Sequence, residues 1–237
     1  EKIGMAIHIM MNSIKKAWQD FEGTHVVFCL EGRSWRKDHY APYKRNRKEM
    51  ADAMTEKEKE ENEVFWECFD DFCDFIKTKT NVTVLRNART EADDLIARWI
   101  DKHPDQKHVI ISTDKDLNQL VAPNVKQYNG ITETTLTHQG WFDKKGDPVI
   151  DKKLKAPKPA PDTEWMIFEK AMRGEPSDNI FSAYPGVRTK GTKNKIGLQE
   201  AFADRKEKGY TWNNLMLSKW VDHDGKEHRV MEDYERN

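Results

Sequence analysis

Residues 81–120 read NVTVLRNARTEADDLIARWIDKHPDQKHVIISTDKDLNQL, and their order decides the fold. VTVLRN (82–87) is rich in β-formers and reads as a strand. Thr90 is placed to N-cap a helix through EADDLIARWIDKH, which must stop before Pro104. HVIIST (108–113) is a second apolar strand, and DKDLNQLV turns from it directly into another short helix. Strand, helix and strand in this order predict parallel pairing, with ligands taken up beyond the carboxyl ends of the strands. Glu91, Asp93, Asp94, Asp114 and Asp116 all fall on that edge, and the strand ending at STDKD is expected beside the one leading to TEADD.

The same alternation extends in both directions. Residues 3–18 place Ile3, Ile7, Met10, Met11, Ile14 and Trp18 at helical spacing. THVVFCLEG is a short buried strand with Glu31 at its carboxyl end and Gly32 to turn. Val64, Phe65, Phe69, Phe72 and Ile76 predict a helix packed on the sheet, and VKQYN (125–129) a fourth strand. Residues 130–150 suggest a Thr-rich hairpin with a KKGD turn, and KAPKPAPD (155–162) is a Pro-rich boundary. Beyond it DTEWMIFEKAMRG, LQEAFADRKEKG and WNNLMLSKWV read as helices, with Trp165, Trp212 and Trp220 in their core. The expected organisation is an α/β domain over 1–160 and a small α-helical region over 161–237.

The chain has 237 residues, 34% of them charged, with a formal net charge of −1. No apolar run approaches the roughly 18–20 residues of a membrane span and no signal pattern opens the chain, so a cytoplasmic protein without a membrane partner is expected. Cys29, Cys68 and Cys73 form no CxxC pair or disulfide framework, which suits a reducing compartment. The eight histidines lack metal-ligand spacing.

The near-zero net charge hides strong segregation. RSWRKDHYAPYKRNRK (33–48) carries seven Lys or Arg against one Asp, whereas 49–63 carries seven acids against two lysines. Together 33–63 read as an exposed excursion. Trp35, Tyr40 and Tyr43 interleave with Arg33, Arg36, Lys37, Arg45 and Lys48, offering stacking faces beside phosphate contacts. Lys44 and Arg47, at i and i+3, share one face if helical. PGVRTKGTKNKIGLQEAF (185–202), with Gly186, Arg188, Lys190, Lys193 and Lys195, leads glycines and basic residues into a helix, a pattern that holds a DNA phosphate without reading sequence.

Acidic clusters recur where strands should end: Glu31, then TEADD, STDKD, and finally Glu175 and Asp178 in GEPSDN. Acids in a first helical turn also suit the macrodipole, and a DxD pair alone is weak. Four such clusters in one fold would repel each other unless hard divalent cations sat among them.

The ordered set, strand–acid–Gly, YKxNR, EADD, SxDKD and GxxSDN followed by a Gly/Lys loop, resembles the phage and bacterial 5′–3′ exonuclease/flap endonuclease family, which includes the 5′-nuclease domain of bacterial DNA polymerase I. The resemblance implies a PIN-like parallel-sheet nuclease domain with a helical arch at about 33–63, then a helix–three-turn–helix DNA-binding region. It implies that Glu91, Asp93, Asp94, Asp114, Asp116 and Asp178 hold two Mg²⁺ or Mn²⁺ ions. Glu31 and Glu175 stand where the family usually has Asp. Lys44 and Arg47 match the arch residues at the scissile phosphate, with Arg33, Arg36 and Tyr43 lining the passage. Residues 185–197 match the helix–three-turn–helix region, where RTKGTKNK departs from the compact turn that forms a phosphate or K⁺ site. The resemblance also implies a strand with an Asp ligand ahead of the first helix and a helical portion after MEDYERN, so a partial chain is expected.

The implied activity is structure-selective phosphodiester hydrolysis at a DNA 5′ end or flap by a monomer in phage or bacterial replication, in the host cytoplasm if phage-encoded. Two ions roughly 4 Å apart would activate water and stabilise the leaving oxygen. Two other classes stay open: a catalytically incomplete DNA-junction-binding module, and a PIN-type ribonuclease, which leaves YKxNR unexplained.

Overall fold

The computed structural model describes residues 2–186, 189–191 and 196–237. The chain divides into two compact units, residues 1–35 with 54–161 and residues 36–53 with 162–237. The basic and acidic stretches of 33–63 are thereby distributed between them.

The first unit opens with α1 (Lys2–Asp20). Its inward stripe is Ile3, Ile7, Met10, Ile14 and Ala17, continued by Phe21, which meets the Tyr128 ring edge-on at 5.3 Å. Met11 and Trp18, expected on that stripe, are exposed, because Ala17 takes the buried position at the helical repeat. β1 (Val27–Leu30) follows. In the second unit lie α2 (Arg36–His39) and α3 (Arg45–Asp52).

The chain returns to the first unit with α4 (Glu56–Lys79), 24 residues long. Apolar spacing predicted a helix only from Val64, yet the turns before it are helical too. Thr55 and Glu58 explain this, since Glu58 N donates to Thr55 Oγ1 at 3.3 Å and Thr55 N donates to Glu58 Oε2 at 2.8 Å. This capping box starts a run of strong helix formers that needs no apolar face. Cys73 and Ile76 bury the far end, and Phe72 meets Phe28 of β1 edge-on.

β2 (Thr83–Arg86), α5 (Ala92–Lys102), β3 (His108–Ile111) and β4 (Val125–Asn129) complete the α/β core. β1 pairs parallel with β2, in register from Val27 with Thr83 to Leu30 with Arg86. β3 pairs parallel with β4, from His108 with Val125 to Ile111 with Tyr128. The expectation that β3 lies beside β2 is corrected: among the described residues the two ladders belong to separate sheets. β2 takes its hydrogen bonds from β1, and β3 takes its own from β4. These strands are also less buried than expected, with Leu30 and Ile110 their fully buried members ahead of Val125 and Tyr128 in β4. β5 (Thr134–Thr137) and β6 (Gly140–Phe142) extend the second sheet antiparallel as the expected Thr-rich hairpin, but its strands turn between Thr137 and Gly140 rather than at KKGD. In the Pro-rich stretch β8 (Ala156–Pro157) pairs with β7 (Ile150–Asp151).

The second unit has its own apolar core of Phe168, Met172, Leu198, Leu215, Met216 and Val230, ringed by Trp165, Trp212 and Trp220 as expected. α6 (Thr163–Arg173) starts at Asp162, whose side chain accepts from Trp165 N. α7 (Leu198–Ala203) is shorter than its sequence suggests. Asp204 ends it, because its carboxylate accepts from Thr211 N and Trp212 N at 2.9 Å and so caps α8 (Tyr210–Met216) instead. The helix expected through SKWV is also corrected. β9 (Lys219–Val221) and β10 (Glu227–Arg229) form a hairpin, closed where Asp222 Oδ1 accepts from Asp224 N and Lys226 N and Gly225 adopts φ +80°. Side-chain hydrogen bonding to a turn wins over local helix propensity. α9 (Val230–Arg236) closes the chain.

Candidate functional site

In the first unit the carboxyl end of β1 and the amino end of α5 are stitched together by backbone. Gly32 N, Arg33 N and Trp35 N donate to the carbonyls of Thr90, Ala88 and Arg89 at 3.0–3.1 Å. A Cβ on Gly32 would lie 1.9 Å from Asn87 O, so this close approach needs glycine. The stitching brings Glu31 to the helix terminus that already carries Glu91, Asp93 and Asp94. Glu31 Oε2 accepts from Ala92 N at 2.9 Å. Glu91, rather than Thr90, is the N-cap, and its amide donates to Asp94 Oδ2 at 3.3 Å. Glu91 is 4% exposed and its carboxylate accepts from Ser34 Oγ at 2.7 Å. Asp93 stands exposed on the same first turn. The positive end of the α5 dipole favours this gathering of negative charge.

Asp114 and Asp116 follow β3, Asp116 opening a 3-10 turn to Leu120. Asp114 N donates to Ser112 Oγ at 3.1 Å and Asp116 N to Asp114 Oδ1 at 2.9 Å. Every acid of this edge offers hard carboxylate oxygen, the donor type that magnesium-like cations take. Among the described residues, however, no group of three or more His, Cys, Asp or Glu side chains is drawn together to hold an ion. Uncompensated carboxylates repel, and Glu31, Glu91 and Asp114 each turn to a backbone or hydroxyl donor instead.

The acids of GEPSDN in the second unit are held differently. Asp178 accepts from Arg47 Nη2 at 2.7 Å through Oδ1, while Lys44 Nζ lies 3.9 Å from Oδ2. Tyr43 Oη donates to the same oxygen at 3.4 Å. Backbone bonds support the pairing. Lys44 N donates to Asp178 O at 2.8 Å, Asn179 Nδ2 to Pro42 O at 2.7 Å and Asn46 Nδ2 to Ser177 O at 3.2 Å. Lys44 and Asn179 sit at φ +52° and +58°, conformations a non-glycine residue keeps only where neighbours over-determine them. YKRNR and GEPSDN thus form one stapled element. Lys170 Nζ holds Glu175 at 2.7 Å, and this hydrogen bond above all keeps the Glu175 carboxyl below its usual range, helped by Ser177 against partial burial.

The stacking role read for Tyr43 is corrected, because the ring is buried at 7% exposure. The Arg236 guanidinium lies 5.0 Å from the Tyr40 ring centroid. Arg33, Lys37, Arg45, Arg47 and Lys48 are exposed and Arg36 is half-buried. Arg45 pairs with Glu49 at 3.3 Å along α3. Gly186 adopts φ +80° and Lys190 is exposed. Arg188, Lys193 and Lys195 lie outside the described residues. No role was expected for Ser34, or for Asn46 and Asn179 within YKxNR and GEPSDN. Their signal was membership of, or adjacency to, the charged motifs, since small polar residues in loops are otherwise uninformative. Burial pushes the Cys29 thiol up to about 11.

Parallel ladders with acids beyond their carboxyl ends, joined to a helical unit that staples a basic segment, define the resolvase-like α/β class. Residues 3–146 match the family model described as 5′-3′ exonuclease, N-terminal resolvase-like domain. The chain belongs to that family. It is 34% identical over 122 residues to the flap endonuclease Xni of Aeromonas hydrophila, covering 49% of this chain and 41% of that protein. It is 30% identical over 192 residues to the flap endonuclease Xni of Shewanella piezotolerans, covering 79% of this chain and 63% of that protein. The chain therefore spans less than two thirds of either relative. Its fold is similar to that of the bacteriophage T5 flap endonuclease in a pseudo-enzyme-product complex with DNA and metal ions, with a TM-score of 0.60, 21% identity, and 95% of this chain and 72% of that one covered.

Proposed function

We propose that this chain is a metal-dependent, structure-selective 5′–3′ exonuclease or flap endonuclease acting on DNA in the cytoplasm, in phage or bacterial replication. The observation that carries the reading is the acid-bearing junction of β1 and α5, where Glu31, Glu91, Asp93 and Asp94 meet one helix terminus. Family membership and the DNA and metal ions in the T5 complex support it.

Glu91, Asp93, Asp94, Asp114 and Asp116 are the residues proposed to hold Mg²⁺ or Mn²⁺. Bound there, two such ions supply a polarised phosphoryl oxygen and an activated water. Lys44 and Arg47 neutralise a phosphate once it displaces the Asp178 carboxylate from them, and Arg33, Arg36, Lys37, Arg45 and Lys48 follow the DNA backbone. Gly186, Lys190 and the neighbouring basic residues bind duplex phosphates, with a potassium ion at their loop. The protein acts as a monomer.

Because no three acids converge among the described residues, a second reading is a DNA-junction binder that does not cut. Incubating a 5′-labelled flap duplex with the chain in magnesium, in manganese and in EDTA separates the two. Metal-dependent product at the junction supports the nuclease. Binding in EDTA with no product in either metal overturns it in favour of the binder.

A further inference from the structure

Gln127 lies on β4, between Ile110 of β3 and Leu136 of β5 in the ladder. It is polar and 5% exposed, an unexpected residue at an inward strand position. Its side chain explains the placement. Nε2 donates to Ser112 O at 3.1 Å and to Asp114 O at 2.5 Å. Both partners are carbonyls, so the amide nitrogen must face them, and its two hydrogens bracket residue 113. Oε1 has no hydrogen-bond partner among the described residues. A buried acceptor left unpaired is unfavourable, so the position keeps a glutamine for its two donors rather than for a satisfied amide.

These donors act on the loop that carries Asp114 and Asp116. The loop is otherwise organised by its own short-range bonds, Asp114 N to Ser112 Oγ and Asp116 N to Asp114 Oδ1, together with Ser112 N to Tyr128 O. Gln127 also lines a cavity of about 60 Å³ with Ser112, Thr113, Lys115 and Trp141. The loop thus borders open space there, and a bracket from the strand limits its freedom. A glutamate at 127 would face both carbonyls with acceptors, and an asparagine would fall one methylene short.

We propose that Gln127 is a positioning residue. It locks the 112–114 backbone onto β4 and so pre-sets Asp114 and Asp116 for the divalent ion that they take, an inference resting on the nuclease reading for its metal. Partners that orient ion-binding carboxylates typically change affinity or activity by about 10–100-fold when removed.

The test compares wild type with Gln127→Met, which keeps length and apolar bulk but removes both donors, and with Val125→Ala, which loosens packing on the same strand. Amide hydrogen exchange is measured at Asp114 and Asp116 without metal, and flap cleavage is followed across a magnesium titration. The expected result is exchange at least about tenfold faster in Gln127→Met and a half-saturating magnesium concentration raised about 10–100-fold, with the saturated rate nearly kept. Val125→Ala should lower the melting temperature while leaving the magnesium requirement unchanged. Unchanged exchange in Gln127→Met, or an equal magnesium shift in Val125→Ala, overturns the proposal. Faster exchange in a chain whose wild type cleaves at no magnesium concentration supports the lock and overturns the nuclease reading instead.

Discussion

The two units hold the acids of their charged motifs in different ways. In the first, Glu31, Glu91 and Asp114 accept from neutral donors, a helix amide, a serine hydroxyl and a loop amide. In the second, Asp178 and Glu175 are satisfied by cations, Arg47 with Lys44 and Lys170. A neutral donor leaves the negative charge in place and available to a metal ion, whereas an ion pair cancels it locally. The first arrangement keeps an electrostatic demand for a cation, and the second is self-contained until a phosphate competes for its Lys and Arg.

The largest effect is expected at Asp116 in the first unit. Asp116→Ala is expected to lower flap cleavage by at least about 100-fold, since even outer partners of metal ligands are worth 10–100-fold. Retained cleavage would mean that the first unit's edge is not the ion site. Ser34→Ala should come next. It removes a hydroxyl donor from the buried Glu91 carboxylate and should cost about 1.5–3 kcal/mol of stability in chemical denaturation, the usual range for hydrogen bonds to charged groups. A neutral result would show that Glu91 is held by the fold rather than by Ser34.

Asp178→Asn should act in the opposite direction on DNA. It releases Arg47 and Lys44, so affinity for a flap duplex in EDTA should rise about 2–5-fold, the equivalent of ~0.5–1 kcal/mol for a partly exposed pair. Weaker binding would show that the staple itself shapes the DNA surface. The smallest effect belongs to Glu175→Gln. A carboxyl held below its ordinary value near 4.5 by Lys170 contributes stability above that value and loses it as pH falls through the lowered one. The variant should be less stable than wild type by under about 1 kcal/mol at pH 7. That difference should vanish in acid, as checked by melting temperature against pH.

Much of this was legible in residues 81–120, where strong periodicity and a capped helix left little choice of element. The acids of TEADD and STDKD were legible as edge residues for the same reason. Pairing was not: β3 was expected beside β2, but apolar runs of four residues carry no label for their neighbour. The helix expected over LQEAFADRKEKG stopped short and the one expected through SKWV gave way to a hairpin, where single carboxylates, Asp204 and Asp222, took up backbone amides further along the chain. Such local competition leaves no trace in hydrophobic spacing.

By itself the sequence determined the alternation of strands and helices, the placement of acids at strand ends, the segregation of basic and acidic stretches, and through its ordered motifs the family. Only the tertiary structure decided which charges meet. Arg47 and Asp178 are 131 positions apart, and Ser34 and Glu91 are 57 apart. Helical and strand periodicity is a property of neighbours along the chain. Such pairs depend on how distant segments close onto one another, a long-range choice set by packing and hydrogen bonding rather than by residue spacing.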